Sequence, residues 1–124
     1  MVERDGGRCR YCRLAQFGHG ATFHIDHIIP RSKGGATHME NLALQCPHCS
    51  LRKANRTEAT DPQTSDLVPL FSPLLDRWDE HFKLSADATL VGLSSSGRAT
   101  IAALGLNETI PRFARLCQMT LGLL

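Results

Sequence analysis

The 124-residue chain is predicted to be an α+β protein: a small zinc-stabilised core followed by a C-terminal β-hairpin and helices. Three observations predict this. Two Cys-x-x-Cys pairs, Cys9/Cys12 and Cys46/Cys49, bracket a β-branched, apolar stretch. The first half has few apolar residues, and a module that small generally needs a metal staple. The second half carries its own strand and helix patterning.

Each cysteine pair puts two sulfurs into one tight knuckle, and four thiolates can hold one zinc ion tetrahedrally. Thirty-three residues separate Cys12 from Cys46, more than the roughly 15–20 of a simple zinc ribbon, so an element is inserted between the knuckles. A disulfide framework and a thioredoxin-like redox pair are the competing readings. No apolar h-region follows Met1, which speaks against secretion and an oxidising compartment, and a cytoplasmic location is expected. Cys117 is left over. It lies in an apolar helical pattern and is expected to be a small buried side chain.

The elements follow in order. Arg8–Arg13 is the first knuckle, and Leu14–Phe17 suggests a short helical turn. Thr22–Ile29 reads as a strand, ended by Pro30, which donates no ladder hydrogen bond. Lys33-Gly34-Gly35 signals a flexible loop, and Leu42–Gln45 an antiparallel return strand. The second knuckle, Cys46–Cys49, leads into a helix over Ser50–Arg56. Residues 57–77, with Pro62, Pro69 and Pro73, read as an extended arm packed on the body. Trp78–Leu84 and Thr89–Leu93 suggest a second hairpin. Ser95 or Ser96 can cap a helix to about Leu104, stopped by Gly105. Thr109 can cap a last helix with Pro111 in its first turn. The stripe Ile110, Phe113, Leu116, Cys117, Leu121 has helical spacing and is expected to face the core. The domain reading is 1–56 as the zinc-bound core and 57–124 as an extension packed on it.

No apolar run approaches the roughly 20 residues of a membrane span. Net charge is +2 but uneven: residues 1–56 carry nine basic and four acidic side chains, residues 57–124 five and eight. A basic half suggests a polyanionic partner such as nucleic acid, beside the plainer reading of a solvated surface. Four thiolates on zinc add a formal charge of about −2, which softens the asymmetry.

Cys9-x-x-Cys12, His24-x-Asp26-His27-Ile28-Ile29-Pro30, Gly34-Gly35, Asn41-Leu42 and Cys46-x-x-Cys49 together resemble the zinc-bearing members of the HNH endonuclease family. The motif region runs from about Arg8 to Arg56. The segment through Trp78-Asp79-Glu80-His81-Phe82 and Gly97-Arg98-Ala99-Thr100 resembles the tail of one bacterial HNH subfamily. The resemblance implies a treble-clef-like ββα-metal fold, in which a hairpin and a helix grip a divalent cation at a scissile DNA phosphate. It implies His27 as general base, Asp26 as ligand of Mg2+ or another divalent cation, and Asn41 as the residue that holds the loop and orients the base. Cys9, Cys12, Cys46 and Cys49 are expected to hold the structural zinc.

The chemistry of the residues is compatible with that role. A histidine, with an ordinary pKa near 6.5, is suited to take a proton from water at neutral pH. A hard cation prefers carboxylate oxygen and keeps waters that substrate can displace. Strand geometry raises an objection, because neighbouring residues point to opposite faces. An ideal strand groups Asp26 with His24 and leaves His27 behind, unless the strand twists or bulges at its end. His24 is therefore a candidate to ligate the metal or to support one of its ligands, beside a purely structural role. The chain also departs from the family pattern. Where many members have Asn or His after the last cysteine, as a ligand of the catalytic metal, this chain has Ser50, a weaker ligand. His48, inside the knuckle, is a second supporting candidate.

Arg31, Lys33, Arg52, Lys53 and Arg56 are the candidate nucleic-acid contacts, aided by a helix N-terminus expected near Ser50. Phosphate contacts set affinity without reading sequence, so low specificity is expected. Three function classes stand: a metal-dependent endonuclease, a catalytically silent zinc module that binds nucleic acid, and a structural zinc protein that docks partners through its last helix.

Overall fold

The computed structural model describes residues 4–124. The first knuckle is a tight turn closed by an antiparallel bridge between Arg8 and Ala15. Cys9 N–H donates to Leu14 O at 2.9 Å and Arg13 N–H to Cys9 O at 3.0 Å. Leu14 and Ala15 are thus the return limb of the knuckle, and the helical turn expected over Leu14–Phe17 is absent. Leu14 and Ala15 are buried on this limb, and an extended path satisfies the knuckle's backbone groups directly.

Strand β1 (His24–His27) pairs antiparallel with β2 (Leu42–Gln45), with Asp26 opposite Ala43 and His27 opposite Leu42. β1 is shorter than expected because the chain turns at Ile28–Pro30, into a 3-10 turn at Arg31–Lys33. Gly34 closes that turn at φ 87°, a conformation glycine adopts without steric cost. Gly35 packs so closely that a Cβ there would lie 1.7 Å from Ile29 O. The loop is thus pinned at Gly35, while Lys33 and Gly34 remain exposed.

Helix α1 (Pro47–Lys53) begins three residues earlier than expected. Pro47 is pre-set for a first helical turn, and the Cys46 sulfur caps it by accepting Cys49 N–H. The second cysteine pair thus forms the start of the helix, and the positive end of its dipole lies over sulfur and not near Ser50. β1, β2 and α1 make a ββα unit clasped by the two knuckles.

Beyond it, β3 (Glu58–Thr60) pairs with β4 (Leu67–Pro69), a hairpin in the segment read as an irregular arm. Pro69 is tolerated at the end of an edge strand. Helix α2 (Trp78–His81) is a single turn feeding β5 (Phe82–Leu84), which pairs with β6 (Leu90–Gly92). Only the second half of the strand expected over Trp78–Leu84 is extended, and Asp79 and Glu80 suit the first turn of the helix. Helix α3 (Ser95–Leu104) is capped by Ser94, whose Oγ accepts Gly97 N–H, and is ended by Gly105 in the left-handed region. Helix α4 (Thr109–Thr120) starts after Glu108, without a side-chain cap.

One hydrophobic cluster joins both halves of the chain, drawing Tyr11, Leu44 and the four knuckle cysteines together with Phe71, Phe82, Leu90, Leu104 and Leu106. Phe71 lies at its centre, edge-on to Tyr11 at 6.2 Å and to Phe82 at 5.1 Å between ring centroids. Trp78 Nε1–H donates to Tyr11 O at 2.8 Å, so the extension is bonded to the first knuckle.

Helix α4 reverses the expected orientation. Ile110, Phe113, Leu116 and Leu121 are exposed, as is Cys117, while Pro111, Arg115 and Gln118 are buried. The reason is that α4 packs on backbone with polar groups to satisfy. Gln118 receives Ala15 N–H at 2.8 Å and donates to Ala15 O at 2.9 Å. Arg115 Nε donates to Ala88 O at 3.0 Å. Buried amides need partners, and here polar side chains supply them. No described helix is long and apolar enough to cross a membrane.

Candidate metal centre and active site

Cys9, Cys12, Cys46 and Cys49 are all buried, none is in a disulfide, and their sulfurs lie within 4.8 Å of one another. Cys12 Sγ and Cys46 Sγ are 3.7 Å apart. Two thiolates on a tetrahedral zinc, at bonds of about 2.3 Å, are roughly 3.7–3.8 Å apart, so the donor set fits one zinc ion. The disulfide and redox-pair readings find no support in this geometry. Contact with Cys46 holds the Cys12 thiol well above its ordinary pKa, and contact with Cys12 does the same for Cys49. Such a cluster ionises together only around a cation.

Asp5, whose side chain is buried, ties the first knuckle to the hairpin. Its carboxylate accepts Leu44 N–H at 2.8 Å and the guanidinium groups of Arg4 and Arg10. Burial pushes this carboxyl up, but the hydrogen bonds from Arg4 and Leu44 and the charge of Arg10 outweigh it, and the group sits below its ordinary value.

The hairpin end is fixed from two sides. Asn41 Oδ1 accepts Ile29 N–H at 2.8 Å, while its Nδ2 donates to Ile29 O at 3.0 Å and to Ala36 O at 2.9 Å. From α1, Lys53 Nζ donates to Ile28 O at 2.8 Å and weakly to His27 O at 3.4 Å. Lys53 is only 2% exposed, and burial pushes its ammonium below the usual lysine range. Lys53 therefore serves the backbone beside His27, and its burial removes it from the surface set of phosphate contacts.

Asp26, His27, Pro30, Arg31, Ser50, Ala54 and Asn55 line one cavity of about 320 Å3. Neighbouring strand positions face opposite ways, and both Asp26 and His27 border this cavity. The Ser50 hydroxyl donates to Asp26 Oδ2 and lies 3.4 Å from His24 Nδ1. His24, Asp26 and Ser50 thus meet at one point, with His24 and Asp26 on the same strand face. The His27 ring is held by Thr37, Nε2 to Oγ1 at 2.9 Å. Asn41 holds the loop through Ile29 and Ala36, and its hydrogen bonds go there and not to this ring. Sequence reasoning passed over Thr37, which belongs to no motif and sits in a stretch without periodicity.

The remaining site residues are dispersed. His48 Nε2 bonds Leu104 O at 2.7 Å and faces the end of α3, away from the Asp26 cavity. Arg52 forms a two-point ion pair with Glu108 at 2.6 and 2.8 Å. Arg56 donates to Ala103 O at 2.8 Å. Arg31 and Lys33 are exposed and make no ion pair among the described residues.

No curated protein and no solved structure matches the chain. Residues 9–56, which carry the four cysteines, the β1–β2 hairpin and α1, match the family model described as HNH endonuclease, and the cysteine cluster is consistent with the zinc-bearing type of that family.

Proposed function

We propose that this protein is a metal-dependent endonuclease that hydrolyses DNA phosphodiester bonds. The observation that supports this reading is the single cavity bordered by Asp26, His27, Ser50 and Arg31, within the segment that matches the nuclease family. His27 acts as general base. In the tautomer that donates Nε2–H to Thr37, Nδ1 is bare and takes a proton from the attacking water. Water oxygen bonds to phosphorus, the bond to the leaving oxygen breaks in line, that oxygen takes a proton from a solvent water, and His27 returns its proton to solvent. Asp26 and Ser50 offer oxygen donors to a divalent cation, Mg2+ or another. When bound, the cation neutralises charge on the phosphate and on the leaving oxygen. Asn41 and Lys53 keep the hairpin end from shifting, and Arg31 and Lys33 contact the flanking phosphates. Four cysteines hold structural zinc.

A second reading has one observation in its favour. Ser50 stands directly after the last cysteine, where its hydroxyl is a weaker metal donor than an Asn or His side chain, as suits a zinc module that binds nucleic acid without cutting it. Plasmid nicking in Mg2+ and in Mn2+ separates the two. The wild type is expected to nick, with His27→Ala slower by about 100-fold or more. Binding without cleavage in every divalent ion tried would leave only the silent module.

A further inference from the structure

The proposed cation site has an unused nitrogen beside it. His24 Nδ1 is 3.4 Å from Ser50 Oγ, which in turn is bonded to Asp26 Oδ2. Neighbouring ligands of an octahedral ion with bonds of about 2.1 Å are roughly 3 Å apart. His24 Nδ1 and Ser50 Oγ are therefore spaced much like neighbouring ligands of one ion, and Asp26 Oδ2 is bonded to the same hydroxyl. The spacing follows from the fold. Residues two apart on a strand share a face, and α1 presents Ser50 to that face of β1. His24 is exposed and makes no other hydrogen bond among the described residues, so no structural task holds its ring there.

We infer that His24 is the third protein ligand of this site, making a set of one nitrogen and two oxygens that favours Mn2+, Co2+ or Ni2+ over Mg2+. The inference rests on the reading that Asp26 holds a divalent cation. Imidazole nitrogen suits the later first-row ions, whereas Mg2+ demands oxygen and gains little from it. His24 thereby supplies what Ser50 lacks: the serine hydroxyl is a weak donor, and the strand contributes a nitrogen from the face it shares with Asp26.

The test uses the full chain loaded with zinc and titrated with Mn2+, a hard ion that leaves the thiolate site alone. Affinity is read by calorimetry, and nitrogen ligation by the 14N modulation of the Mn2+ electron spin echo. Wild type is expected to show one Mn2+ beyond zinc, with 14N modulation. His24→Ala is expected to keep its zinc, lose the modulation, and bind Mn2+ at least about ten-fold more weakly. Its Mg2+ affinity should change by less than about two-fold. His27→Ala should keep the modulation. Modulation that survives in His24→Ala overturns the inference while leaving Asp26 as a ligand. Absence of any bound Mn2+ beyond the zinc in the wild type overturns both the inference and the cation-dependent reading beneath it.

Discussion

At the residue scale, the site depends on side chains that hold other groups in place. Thr37 fixes the His27 ring, Asn41 fixes Ile29 and Ala36, and Lys53 fixes the carbonyl beside His27. Replacing Thr37 with valine keeps the shape and removes the hydroxyl. In the nuclease reading, Thr37→Val lowers kcat about ten-fold through lost ring orientation, with KM for plasmid little changed, and single-turnover nicking assays across pH check it. Lys53→Met leaves two carbonyls beside His27 without their cation. It is expected to cost about 1–3 kcal/mol in urea unfolding; an unchanged midpoint would mean that water replaces the ammonium. Much of this site was legible in the sequence, because Cys, His, Asp and Asn in a fixed order announce their chemistry. Thr37 and the burial of Lys53 were not. A threonine in a loop carries no spacing signal, and a lysine after a knuckle looks like surface until the strand it reaches is in place.

At the element scale, the hairpins were read more reliably than the helix faces. β1–β2 and β5–β6 have apolar runs with turn signals between them. The β3–β4 hairpin was hidden by Pro62 and Pro69, which sit where no ladder N–H is needed. The α4 stripe misled because apolar periodicity normally marks the buried face. Here the neighbours are backbone amides and carbonyls, which recruit Arg115 and Gln118 inward. A related device lies at the start of the β3–β4 turn. Asp61 is fully buried and takes two bonds from Arg98, one from Gln63 N–H and one from Thr64 Oγ1. The Arg98 guanidinium holds the carboxyl at about 2, with help from Gln63 and Thr64 and against the effect of burial. Since this lies below the unfolded value near 3.9, the group stabilises the fold above that value and loses its contribution as pH falls through about 2. Asp61→Asn should therefore unfold at lower urea than wild type from pH 8 to 5, by a constant margin that narrows below about pH 4. A margin that stays constant to pH 3 would count against the ion pair as its source.

At the scale of the whole molecule, the cysteine cluster sits inside the hydrophobic core of the described residues and is not an appendage to it. Arg115 is fully buried on α4, with one guanidinium nitrogen unpartnered among the described residues. Burial pushes it below its ordinary range, while the charges of Cys12, Cys49 and Cys46 pull it back up. A buried cation beside four thiolates offsets part of the roughly −2 charge of a zinc tetrathiolate. Metal, both knuckles and the last helix should therefore lose structure together. Cys46→Ser is expected to bind less than one zinc per chain and to melt at least about 10 °C lower. Unchanged zinc content and melting would argue against the four-cysteine site.

The single tryptophan makes that coupling visible without a label. Its indole N–H is anchored to the carbonyl of Tyr11, between the first two cysteines, and Arg13 lies 4.4 Å from its ring centre. Stripping the ion with a chelator should free this fluorophore into solvent, red-shifting its emission in step with sulfur release. Trp78 is thus a built-in optical gauge of metal occupancy, readable in a cuvette before any nuclease assay is attempted.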